Sequence, residues 1–156
     1  MKHTLALIAR HPARLGGGVL AEISSTGPHP HLDTPEMILA IRQGLPLAEF
    51  DALREMLGFT VEQMATKVGI SIATLSRRRL AGEPLDSAHS DRVVRYARLY
   101  WQAADYFELN EDAARAWLTR PAASLGGETP LDYAETEAGG REVEHVLGRL
   151  EHGVYL

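Results

Sequence analysis

The stretch TVEQMATKVGISIATLSRRRL, residues 60–80, reads as two short helices joined by a tight corner. Thr60 stands where an N-cap belongs, and Gln63 three residues later completes a capping box. Val61, Met64, Ala65 and Val68 recur at helical spacing. Ala65 is small enough for a second helix to cross closely. Gly69 is the residue best able to take the left-handed conformation that ends a helix. Ser71 then caps a second helix, and Leu75 faces inward one turn later. A small residue, a glycine four positions on and an inward leucine six further is helix-turn-helix spacing. Three residues after Leu75 the frame expects another apolar side chain; Arg78 stands there, which leaves Leu80 or Ile72 to do that packing.

The second helix carries Arg77, Arg78 and Arg79 on an outward polar surface with Thr74 and Ser76. Arginine's planar fork suits both phosphate oxygens and the major-groove edge of guanine. The candidate DNA-contacting residues are Ser71, Ala73, Thr74, Ser76, Arg77, Arg78 and Arg79. A solvated corner with a basic last turn would give the same pattern without that function.

The chain has 156 residues, 45% of them hydrophobic, enough for one good core or two small ones. No apolar run is long enough to span a bilayer. MKHTLALIARHPARL at the N-terminus has a weak likeness to a signal peptide, but Arg10 and His11 interrupt its apolar run. Cysteine is absent, which excludes disulfides and thiolate metal sites and fits a reducing cytoplasm.

The formal net charge of −5 is unevenly spread. Residues 1–59 carry −1, residues 60–100 carry +3, and residues 101–156 carry −7. The positive block coincides with the helix-turn-helix and the helix after it, so a local DNA-facing patch is compatible with an acidic chain. The acidic C-terminal third would be repelled from DNA and free to meet another partner.

Residues 1–33 form an arm of unsettled role, broken by Gly16-Gly17-Gly18 and by Gly27-Pro28-His29-Pro30-His31. A mobile arm and a self-association segment both fit. His29 and His31 lack the accompanying ligands a metal would need. Thr34-Pro35-Glu36 opens the first clear helix, with Met37, Ile38, Ile41 and Leu45 along one face. A second helix runs from about Ala48 to Leu57, with Phe50, Leu53, Met56 and Leu57 apolar. Gly82-Glu83-Pro84 breaks the chain after the helix-turn-helix. A longer helix from Ser87 or Ser90 to Phe107 places Val93, Ala97, Tyr100, Trp101, Ala104 and Phe107 on one face. Arg92, Arg95 and Arg98 fall mostly opposite, as a solvated face or as supporting phosphate contacts. Asn110 caps the next helix, to Leu118, which includes Trp117, and Pro121 forbids its continuation. Thr129-Pro130 starts another helix, which Gly139-Gly140 ends. The last helix, Arg141 to about His152, gathers Val143, Val146, Leu147 and Leu150, and Gly153 releases Val154-Tyr155-Leu156. No strand-like alternation occurs. The expected fold is all-α: an arm (1–33), a helix-turn-helix region (34–86) and a small helical C-terminal domain (87–156) that includes the connecting helix.

In the C-terminal third, Ala116-Trp117-Leu118, Pro121 and Leu125-Gly126-Gly127-Glu128-Thr129-Pro130-Leu131-Asp132 resemble the signature of the Xre/MbcA/ParS toxin-binding domain. Together with Ala73-Thr74-Leu75 and Arg77-Arg78, the chain from about 35 to 155 resembles Xre-type antitoxins paired with RES-domain toxins. The resemblance implies a protein that covers the active site of a cognate NAD-degrading RES toxin. It also implies operator binding and autoregulation, a homodimer, and a larger complex with the toxin. It points to Trp117, Leu125, Gly126, Gly127, Pro130, Leu131, Gly153, Val154, Tyr155 and Leu156 as toxin-binding residues. An aromatic residue and a carboxylate after a glycine hinge could enter a pocket, and a cleft that holds the phosphates of NAD would attract an acidic domain.

No cofactor and no membrane partner is implied, and the location expected is the cytoplasm. No nucleophile elbow, phosphate-cradling loop or carboxylate–histidine constellation at diagnostic spacing supports an enzyme. The alternative to an antitoxin is a stand-alone helix-turn-helix repressor whose C-terminal domain dimerises or binds something else.

Overall fold

The computed structural model describes residues 35–153. The readings made for the arm, for the Thr34 cap and for Val154, Tyr155 and Leu156 lie outside the described residues. Within them the order is α1 (Pro35–Gln43), α2 (Leu47–Leu57), α3 (Val61–Val68), α4 (Ile72–Ala81), α5 (Ser87–Tyr106), α6 (Glu111–Thr119), a 3-10 turn (Ala123–Leu125), α7 (Pro130–Tyr133) and α8 (Glu137–Glu151). No strand occurs among the described residues, and the all-α expectation is met.

Local chemistry sets the helix starts. Thr60, Ser71, Asp86, Asn110, Thr129 and Thr136 each accept a hydrogen bond from the backbone N–H three residues on. At Thr60 the Gln63 side chain returns the bond, completing the capping box. Gly69 ends α3 at φ 80°, a conformation a β-carbon would strain.

Eight-residue helices such as α3 are marginal alone, so tertiary packing must hold them. That packing is organised by α5, 20 residues long, which lies against α1, α2, α3, α6 and α8. Its Val93, Ala97, Tyr100, Trp101 and Ala104 are buried. They join Met64 and Val68 of α3 to Val143 and Leu147 of α8 in one hydrophobic cluster. Burial of each large side chain contributes roughly 1.5–3 kcal/mol, far more than any single surface charge pair.

Several expectations need correction. Ile38, placed on the inner face of α1, is 45% exposed. Leu80 (92% exposed) and Ile72 (42% exposed) do not take the packing position after Leu75. Arg78 takes it, half-buried, with Nη1 donating to the Pro84 carbonyl at 2.7 Å and Nη2 lying 3.6 Å from the Asp86 carboxylate. A long stem whose two terminal nitrogens are engaged does there what an apolar residue was expected to do.

Nor is the arginine row of α5 a solvated face. Arg95 is 7% exposed; it donates to the carbonyl of Glu135 at 2.8 Å and is paired with Asp91 at 2.8 Å and Glu137 at 3.1 Å. Arg98 is paired with Glu144 and, at 3.5 Å, with Glu137. Burying a guanidinium is tolerable only when it is paired and bonded in this way.

Gly139-Gly140 does not end a helix either. The helix opened at Thr129 is only α7, and both glycines lie in the first turn of α8. A β-carbon on Gly139 would sit 1.7 Å from the Tyr133 carbonyl oxygen, and one on Gly140 3.1 Å from Arg95 Cδ. They are there for close approach. Gly148, later in the same helix, has nothing within 4 Å of where its β-carbon would be.

Two predictions follow from these contacts. Gly139→Ala should destabilise the fold by more than about 2 kcal/mol, because a backbone carbonyl cannot swing aside as a side chain can. Gly148→Ala should stabilise it by about 0.5–1 kcal/mol from helix propensity alone. Urea unfolding of the two variants reads both signs.

Glu137 supplies a pH test. Burial pushes its carboxyl up, but Arg98, Arg95 and Arg141 together hold it below the usual carboxylate range. The stability it contributes is present above the unfolded-state value and is lost as pH falls through the folded one. Unfolding at pH 7 and at pH 4 should show a smaller acid-induced loss for Glu137→Gln than for the parent.

Candidate functional site

The helix-turn-helix pair α3 and α4 is set by α5. The last carbonyls of a helix have no partner within it. Here those of Lys67, Val68 and Gly69 face three side chains from one side of α5. Tyr96 donates its hydroxyl to Lys67 at 2.9 Å, and burial pushes that hydroxyl above its ordinary range, so it stays a donor. Arg92 donates to Val68 at 3.0 Å. The His89 ring bridges the Gly69 carbonyl at 3.2 Å and the Asp86 carboxylate at 2.8 Å. With α3 held at its C-terminus, Leu75 (2% exposed) seats α4 on it.

The seven residues expected to meet DNA are not equivalent. Ser71 spends its hydroxyl on the cap, accepting from the Thr74 N–H at 3.1 Å, and Thr74 is half-buried beside it. Arg79 is exposed yet held in a two-point pair with Asp51 of α2, at 2.8 and 3.0 Å. Arg78 is engaged as described above. Ala73, Ser76 and Arg77 are exposed, and Arg77 makes no ion pair among the described residues. Three arginines in sequence therefore give one outward guanidinium without an ion pair among the described residues.

The second candidate surface lies in the C-terminal half. Leu125, Pro130 and Leu131 are buried and shape the loop from inside. Trp117 is half-buried against the core. Gly126 and Gly127 have φ 68° and 88°, with open space where a β-carbon would be. Backbone geometry, not packing, demands glycine there. The loop closes through Gly127 N–H to the Ala122 carbonyl at 3.0 Å and Ala122 N–H to the Glu128 carbonyl at 2.9 Å. Asp132 turns toward α3, where Lys67 is its ion-pair partner. Thus the loop stretch is tied to the helix-turn-helix directly as well as through α5. Gly153 is exposed at the edge of the described residues.

A cleft of about 130 Å³ between α5 and α8, lined by Gln102, Asp105, Tyr106, Glu144, Leu147, Gly148 and Glu151, was not foreseen. Its walls come from helices far apart in sequence, so no local pattern announces it. Among the described residues no group of three or more His, Asp or Glu could hold a metal ion, and no helix is long and apolar enough to cross a membrane.

Comparison with known proteins gives the same division of labour. Residues 36–98 match the antitoxin Xre-like helix-turn-helix domain, and residues 102–153 match the antitoxin Xre/MbcA/ParS C-terminal toxin-binding domain. The two matches meet inside α5. The chain is similar to an Antitoxin Xre of Photorhabdus laumondii, 31% identical over 131 residues, 84% of each chain. It is also similar to an Antitoxin Xre of Yersinia enterocolitica, 29% identical over 119 residues (76% of this chain, 80% of the other). A Sphingobium protein named Prs ADP-ribosylating antitoxin is 23% identical over 128 residues (77% of this chain, 80% of the other). A cap-defined helix-turn-helix and a glycine-loop domain, matched in that order over most of the described residues, show that this chain belongs to the Xre/MbcA/ParS family of antitoxins.

Proposed function

We propose that this antitoxin neutralises a RES-type, NAD-degrading toxin by covering its active site, and that with the toxin it represses its own operon through α3 and α4. The observation that carries the reading is one long helix shared by two domains, with an outward α4 in the first and the exposed Gly126-Gly127 loop in the second. The choice of RES toxin rests on the LGGETPLD stretch and its resemblance to antitoxins of that pairing. The chain itself is a binding protein of the cytoplasm, not an enzyme. It acts as a homodimer that enlarges into a complex with toxin.

In this reading α4 lies on operator DNA with Ala73, Ser76 and Arg77 outermost. Ser71, Thr74, Arg78 and Arg79 hold that helix in position and reach DNA only at its edges. On the toxin side the contacts are the exposed Gly126, Gly127 and Gly153, together with Val154, Tyr155 and Leu156. Trp117, Leu125, Pro130 and Leu131 support that surface from beneath. The net charge of −7 over residues 101–156 favours a toxin cleft that is itself basic, as one that binds the phosphates of NAD would be.

Co-expression with the product of the adjacent gene in a bacterial host, following growth and cellular NAD, tests the toxin class. The neighbour alone should drain NAD and stop growth, and this chain should restore both while co-purifying with it. Growth arrest accompanied by ADP-ribosylated host protein, with NAD largely intact, would replace the RES assignment with a modifying toxin. A harmless or non-associating neighbour would leave a stand-alone repressor.

Deletion of Val154, Tyr155 and Leu156 tests the tail. If Tyr155 is an interface anchor, its loss should weaken toxin affinity roughly thirtyfold, the scale of an interface hot spot, and growth rescue should fail. The deleted chain should keep its unfolding midpoint. Undiminished rescue would remove the tail from the interface.

A further inference from the structure

The outward face of α4 is more apolar than its sequence suggests. At 100° per residue, Ile72, Ser76, Leu80, Ala73 and Arg77 occupy one continuous arc of about 140° of the helix. All five are exposed, with Ile72 at 42% and Leu80 at 92%. The other large polar side chains of the helix are engaged: exposed Arg79, which borders the arc beside Ile72, on Asp51, and Arg78 on Pro84 and Asp86. An arc of three aliphatic side chains, one hydroxyl and one guanidinium is poorly suited to phosphates, which need several cations. It is well suited to the floor of a major groove. There the thymine C5 methyl is the apolar feature, and guanine offers the O6/N7 pair to a single arginine fork.

Resting on the DNA-binding reading above, we propose that α4 reads thymine methyl groups with Ile72, Ala73 and Leu80 and a single guanine with Arg77. Specificity then comes chiefly from methyl contact. The chain's own affinity has a small electrostatic part, because the other cations of the positive block are already paired or bonded within the chain, Arg78 and Arg79 as above. Lys67 is paired with Asp132, Arg92 is bonded to the Val68 carbonyl, and Arg95 and Arg98 are paired with Glu137. A second copy of the chain is the competing occupant for Ile72 and Leu80, but this face set against its own copy gives Arg77 no carboxylate, only the Ser76 hydroxyl and a second Arg77.

The test uses the full chain and a library of random 20-base-pair duplexes, enriched by repeated selection. The best duplex is then titrated with thymidine replaced by deoxyuridine one position at a time, which removes only the C5 methyl. Two or three positions should each lose about fourfold in affinity, the worth of one buried methyl. Leu80→Ala should lose a similar factor on the parent duplex and become indifferent to deoxyuridine at one of those positions. Arg77→Ala should lose roughly tenfold or more and its preference at one G·C pair, and 7-deazaguanine at that pair should reproduce the loss.

If a duplex is enriched but deoxyuridine has no effect anywhere, methyl readout is wrong while the DNA-binding reading stands. If no duplex is enriched by the full chain, alone or in complex with its toxin, both fall together. If Ile72→Ala and Leu80→Ala change the sedimentation coefficient and leave duplex affinity alone, the face is a subunit contact and the inference is overturned. All these positions are exposed, so an unchanged thermal midpoint is expected of every variant.

Discussion

The C-terminal carbonyls of α3 are the constraint on which the rest of the structure depends. A helix-turn-helix corner is too tight for α3 to continue or unwind gradually, so its last carbonyls must be bonded from elsewhere. Tyr96, Arg92 and His89 supply those partners at intervals of four and three residues along α5. That spacing puts all three on one side of a helix. The side toward the C-terminal half then carries Arg95 and Arg98, which grip α7 and α8. One 20-residue helix thereby fixes the angle of α4 and the position of the toxin-binding domain together. A variant that loosens α5 would be felt in both halves of this antitoxin.

The same helix explains why the positive block is a poor measure of what DNA could meet. Residues 60–100 carry +3, yet Arg95 is paired with Asp91 and Glu137, Arg98 with Glu137 and Glu144, and Lys67 with Asp132. Part of the positive block is the counter-charge of the acidic third, placed across an internal boundary. Exposed pairs such as Arg79 with Asp51 contribute up to about 1 kcal/mol. Arg95 matters more, because stripping its partners would leave a charge buried. Its role is to close α8 onto α5, and Gly140 makes room for it, since a β-carbon there would press on the Arg95 stem.

The C-terminal signature can be sorted in the same way. Leu125, Pro130 and Leu131 are buried, so part of LGGETPLD is a folding instruction. Gly126 and Gly127 answer to backbone conformation, and Asp132 to Lys67. What remains for a partner is the exposed crest of the loop. A family signature of this kind mixes residues that build a surface with residues that are the surface, and only burial separates them.

Much of the fold was legible because its instructions are local. An N-cap hydroxyl and the N–H it meets are three residues apart, and a helix-ending glycine acts on its own backbone. Thr60, Ser71, Asn110 and Thr129 could thus be read directly, and so could the all-α class and the helix-turn-helix corner. What no local pattern contained was the partner of a charged side chain. Lys67 and Asp132 are 65 positions apart, and Arg95 and Glu137 are 42. Helical patterns sort residues by hydrophobicity, so they sent Arg92, Arg95 and Arg98 outward and Leu80 or Ile72 inward. An arginine with enough distant acceptors is as well placed inside as a leucine, and a leucine with no neighbour across from it stays outside. By itself the sequence determined the helices and their ends; only the tertiary structure decided which side of each helix was the inside, because that depends on acceptors and surfaces brought in from elsewhere in the chain.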